Sequence, residues 1–73
     1  MSETQDAIQA AVNARIGTFT VKDLLEDLGW PNTTNTKSTI FNALTRMERW
    51  REVAKAGLRE DGQSKWREWI KVD

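Results

Sequence analysis

The 73-residue chain has no cysteine and no histidine. The first absence excludes disulfides and thiolate metal sites, and the second removes the usual zinc and haem ligands. Its four glycines are scattered, so there is no Gly-rich phosphate cradle, and no paired carboxylates sit in an apolar stretch. An enzyme is therefore not expected, nor a cofactor. No apolar run is long enough to span a membrane, and the opening MSETQDAIQAAVNARIG lacks the basic start and continuous apolar stretch of a secretory signal. The expectation is a soluble cytoplasmic protein, or one of a host cytoplasm if the source is viral. The formal net charge of +0 leaves no excess for coating DNA by charge alone.

What is present is unevenly placed. Residues 29–59 hold Lys37, Arg46, Arg49, Arg51, Lys55 and Arg59 against only Glu48 and Glu52. Before them, Arg15 and Lys22 face Glu3, Asp6, Asp23, Glu26 and Asp27, and the residues after them are slightly acidic. Such a dipolar chain can present its basic middle to a polyanion, or offer both signs to a protein partner. One domain is expected over residues 1–73. A chain this short buries only roughly 60–65% of its unfolded surface, so its four Trp and two Phe are expected to supply much of the core.

The stretch TKSTIFNALTRMERW, residues 36–50, organises the rest. Ile40, Phe41, Leu44 and Met47 recur at helical spacing and predict an inward stripe. The opposite side is expected to carry Lys37, Thr39, Asn42, Ala43, Arg46 and Arg49, a face without a carboxylate until Glu48. Arg and Asn match base edges and phosphates in shape, so this face suits a nucleic-acid groove as well as plain solvent.

A first helix is expected over about residues 3–15, with Ser2 and Gln5 at capping-box spacing, Ile8, Ala11 and Val12 inward, Ile16 continuing that stripe and Gly17 ending it. Thr18, Phe19 and Thr20 suit a short strand. Thr20 and Asp23 have capping-box spacing for a second helix, 21–28, that buries Val21, Leu24, Leu25 and Leu28 and closes at Gly29. Residues 30–35, WPNTTN, form a turn with several candidate caps for the next helix, and Trp30 is expected to cover the core. REVAKA, residues 51–56, is compatible with continued helix or with a strand. The Asp-Gly pair and the alternation in WREWIKV favour a hairpin over about residues 51–72, with residues 18–20 as a third strand. In that hairpin Trp66, Glu68, Ile70 and Val72 share one face, and Arg67, Trp69 and Lys71 the other.

The order helix, short strand, helix, turn, helix, hairpin resembles a winged helix-turn-helix domain from about Ala7 to Val72. TFTVKDLLEDLG matches its first strand and second helix, TKSTIFNALTRMERW its recognition helix, and GLREDGQSK its wing. The resemblance implies a mainly α fold with a small antiparallel sheet, three helices and a C-terminal wing. It also implies sequence-specific binding of double-stranded DNA, as a small transcriptional regulator or a recombination or phage accessory factor. Asn42 and Arg46 would then read bases, with Lys37, Ser38 and Thr39 near the helix start, and Arg49, Arg51, Arg59 and Lys65 would hold the backbone. A homodimer or cooperating copies are implied by the few contacts one small domain makes. Winged helices also serve as adaptors, so binding of a protein through Trp30, Trp50 or Trp69 is the alternative expectation.

Overall fold

The computed structural model describes residues 3–72. The order is α1 (Glu3–Asn13), β1 (Thr18–Phe19), α2 (Val21–Leu28), α3 (Thr34–Arg49), β2 (Val53–Asp61) and β3 (Ser64–Lys71). Three helices thus accompany one antiparallel sheet of order β1-β3-β2. No helix among the described residues is long and apolar enough to cross a membrane.

The helix ends follow local chemistry. At α2 the Thr20 hydroxyl accepts from the Asp23 amide at 3.1 Å, and the Asp23 carboxylate accepts from the Thr20 amide at 3.0 Å, the reciprocal box expected from the spacing. Gly29 closes α2 at φ 68°, where its lack of a Cβ removes the penalty of left-handed backbone. At α3 the cap is Thr33, and Thr36 returns the bond through its own hydroxyl. The helix therefore begins two residues before the expected start, because Thr34 and Asn35 wind into its first turn. The proposed Ser2–Gln5 box lies outside the described residues at Ser2.

Helix α1 stops at Asn13, earlier than expected. Arg15 turns across to α2, its guanidinium donating to Asp27 at 2.7 and 2.9 Å, and Ile16 is left 94% exposed. Ile16 therefore does not extend the inward stripe: once the helical rotation ends, its spacing no longer points it at the core.

After α3 the chain turns at once. Trp50 caps the helix, and the Arg51 and Glu52 amides donate to the Glu48 and Met47 carbonyls at 3.0 and 2.8 Å. This Schellman closure places Arg51 in the left-handed region at φ 62°. REVAKA is therefore not continued helix, and its last four residues lie in β2. Asp61 pairs with Ser64 across the two-residue loop 62–63, with positive-φ Gly62 at its first position, the arrangement of a type II′ hairpin. The expected wing loop is thus nearly all strand.

One buried cluster joins every element: Ile8 and Val12 from α1, Phe19 from β1, Val21, Leu24 and Leu25 from α2, Ile40, Ala43, Leu44 and Met47 from α3, Val53 and Trp69 from the hairpin. Trp69 is fully buried beside Phe19, its partner on β1. At about 25 cal/mol per Å2, burying a ring of roughly 200 Å2 contributes about 5 kcal/mol before entropy is charged against it. The other tryptophans contribute less: Trp30 and Trp66 are partly buried, and Trp50 is 74% exposed at the C-terminus of α3. Trp30 thus does cover the core edge, while the expectation that rings in general would fill the core holds only for Trp69 and Phe19.

The hairpin faces also resolve the position of Glu68. Trp69 points inward, so Glu68 and Ile70 occupy the outer side, where Glu68 meets Thr18 at 3.3 Å and Arg59 at 3.0 Å. A carboxylate there needs no burial. Trp66, an odd number of residues from Trp69, nevertheless packs at the edge of the core. Lys55 pairs with Trp69 but Gly57 with Glu68, so Ala56 is an extra residue in β2, a bulge of the kind that increases local twist in the hairpin.

Candidate nucleic-acid interface

The outer side of α3 is built by its own periodicity. With Ile40, Ala43, Leu44 and Met47 packed inward, Ser38, Asn42, Thr45 and Arg49 follow one another outward at steps of four, three and four, and all are exposed. Asn35, one turn before Ser38, extends the row. Ala43 does not belong to this face. At 2% exposure it lies in the core stripe three residues after Ile40, where a small side chain lets α3 approach closely. Phe41 departs the other way. It is 46% exposed on the flank of α3 and touches Trp69 edge to face, with centroids 6.1 Å apart.

The expected site residues fall into separate groups. Lys37 is half-buried on the flank of α3 rather than on its outer face, with its ammonium 5.8 Å from the Trp66 ring centroid. Lys37, Ser38, Asn42 and Lys65 come together around a cleft of about 360 Å3 between α3 and β3. Thr39 and Arg46 are exposed toward the opposite flank, and the Thr39 hydroxyl donates to the Asn35 carbonyl at 2.9 Å. Arg49 ends the outer row, and Arg51 follows on the left-handed turn, exposed.

Arg59 is engaged inside the fold. Its guanidinium donates to Glu68 and, at 2.9 Å, to Asp23 of α2. The hydrogen bonds to Glu68 and then Asp23 raise its pKa above an already high ordinary value. Nearby, Lys22 of α2 pairs with Asp61 at the end of β2, and its pKa is likewise raised, first by that hydrogen bond and then by the charge of Asp61. These pairs tie the hairpin to the first turn of α2 and occupy carboxylates that would otherwise repel a polyanion.

The remaining cations are differently placed. Among the described residues, Lys37, Arg46, Arg49, Arg51, Lys65 and Arg67 have no carboxylate within ion-pair distance. Glu48, the one carboxylate of α3, turns toward Lys55 at 3.8 Å. The outer row and the cleft thus combine amides, hydroxyls and uncommitted cations without an acidic group between them. Reading the sequence missed Asn35, Thr45, Trp66 and Arg67 as members of this surface. Extending the four-three-four steps from Ser38 finds Thr45, whereas Trp66 and Arg67 depend on a fold-level juxtaposition that no local spacing encodes. No protein-family model matches the chain, and comparison with curated proteins and with solved structures returns no significant match.

Proposed function

We propose that this domain is a winged-helix-type module that binds double-stranded DNA by laying α3 in the major groove. The observation that supports this most is the outer row Asn35, Ser38, Asn42, Thr45 and Arg49. It is exposed along the whole helix and free of carboxylates, while Asp61 and Glu68 of the hairpin and Asp23 of α2 are held in ion pairs. Asparagine can pair bidentately with adenine and arginine with guanine, so Asn42 is the base reader at mid-helix, with Arg49 at the row's far end and Arg46 beside the row on its flank. Arg51 and Lys65 contact phosphates, and Arg59 serves to brace the hairpin. Such a module suits a small regulator or a recombination or phage accessory factor, acting as a dimer where specific binding is needed.

The test is selection from a random duplex pool with the purified chain. A recurrent site should emerge, and Asn42→Ala with Arg46→Ala should lose the preference while retaining weak, sequence-independent binding. A pool that remains random after repeated selection would refute sequence-specific reading. The second reading, an adaptor that binds protein, is favoured by one observation: Trp50, 74% exposed, stands beside the end of the same helix.

A further inference from the structure

We propose that the cleft between α3 and β3 is a seat for one nucleotide unit, its phosphate held by cations and its flat base laid against Trp66. The inference deepens the DNA-binding reading by naming a second contact beside the helix row, and it rests on that reading only for the source of the nucleotide. The cleft volume of about 360 Å3 is at the lower end of the range for small-molecule sites, which suits a single nucleotide.

The chemistry comes from both walls. Lys37 and Ser38 stand on the helix side, Lys65 and Arg67 on the strand side, and Trp66 between them. None of the three cations has a carboxylate partner among the described residues, so an entering phosphate displaces no internal ion pair. Lys37 already covers the Trp66 ring at 5.8 Å, and its flexible stem lets the ammonium swing to a phosphate while a base takes over the ring. Stacking on an aromatic side chain suits any base that has left the duplex stack, because every base has a π-face, so a duplex must present an unpaired or extruded nucleotide to the cleft.

A second, independent feature points to a ligand. Trp69 lines the same cleft and is fully buried, yet its indole N–H has no acceptor among the described residues. Buried donors are ordinarily paired; because this one is sealed from solvent, a phosphate or base oxygen becomes its acceptor only once the lining side chains part to admit it. An aromatic platform, cations on both walls and an unpaired buried donor are together what a nucleotide requires; a purely apolar ligand would use only the first.

The test titrates the full 15N-labelled chain with a short duplex carrying an unpaired nucleotide, with deoxyadenosine monophosphate and with inorganic phosphate, following the indole N–H signals of Trp66 and Trp69. Both should move with the duplex and the mononucleotide, and much less with phosphate. Lys65→Gln with Arg67→Gln, both exposed and away from the core, should weaken mononucleotide binding at least about tenfold and lower the salt slope for duplex by about two. Arg49→Ala should weaken the duplex while leaving the mononucleotide response intact. If the duplex binds through the α3 amides while both indoles stay still with every probe, the cleft proposal fails and the groove reading stands. If the mononucleotide moves the indoles but the duplex never binds, the cleft stands as a site for free nucleotide and the DNA reading fails. Phosphate acting as strongly as the mononucleotide would overturn recognition of the ring, and silence with all probes would sink both ideas.

Discussion

Arg51 offers a substitution whose effects on folding and on binding run in opposite directions. It is exposed, makes no side-chain bond among the described residues, and holds φ 62° to close α3. A side-chain-bearing residue in left-handed backbone costs about 1–2 kcal/mol, because its Cβ crowds the following carbonyl. Glycine removes that crowding but returns about 0.4–1 kcal/mol to the unfolded chain as added freedom. Arg51→Gly should therefore stabilise the domain by about 0.5–1 kcal/mol, raising Tm by roughly 2–8 °C for a chain of this size. Arg51→Ala keeps the strain and should stay within about 0.5 kcal/mol of the parent. Thermal and urea melts of the three proteins measure the difference, and duplex titrations run beside them should show both variants losing the same phosphate contact. A glycine variant no more stable than the alanine variant would refute the account of the α3 terminus.

Thr20→Ala removes the cap of α2 at a residue only 2% exposed, and should cost about 1–2 kcal/mol in chemical denaturation, most of it restored in Thr20→Ser. Ala43→Leu forces extra volume between α3 and the core and should destabilise by about 1–3 kcal/mol, whereas a surface alanine would tolerate it without loss; melts of the purified variant decide between the two. The raised pKa of Lys22 gives the Lys22–Asp61 tie a defined pH window. Its stabilisation is fully present below the ordinary lysine value of 10.5 and fades as pH rises through the higher folded value. The Tm gap between parent and Lys22→Met should thus be constant across neutral and mildly alkaline pH and close only above that value, while a gap that closes near neutrality would contradict it.

Much of the fold is written in short-range signals. Thr20 with Asp23 and Gly29 mark both ends of α2 within the sequence itself, and Asp61-Gly62 marks the hairpin turn, because each is a backbone requirement met by neighbouring residues. The misplacements share a different cause. Ile16, Phe41 and Ala43 are apolar residues whose spacing fits a stripe, but the helix path and the neighbours that cover it decide which of them is buried. Arg59 looks like any other cation of the basic middle until the fold brings Asp23 and Glu68 to it. The same limit applies to the surface. The row from Ser38 to Arg49 is readable as helical spacing, but the cleft is not, since Lys37 and Trp66 meet only when the hairpin folds back on α3.

The central claim, that the outer row of α3 contacts DNA, is tested most directly by fluorescence anisotropy of a labelled duplex over a salt series. The parent would be compared with Asn42→Ala, Arg46→Ala. The account predicts parent binding whose logarithm falls linearly with the logarithm of salt, and weaker binding of the double variant at every salt with the slope nearly kept, because the two residues read bases while Arg51 and Lys65 hold phosphates. No binding by the parent at low salt, or a double variant that binds indistinguishably from it, would contradict the claim.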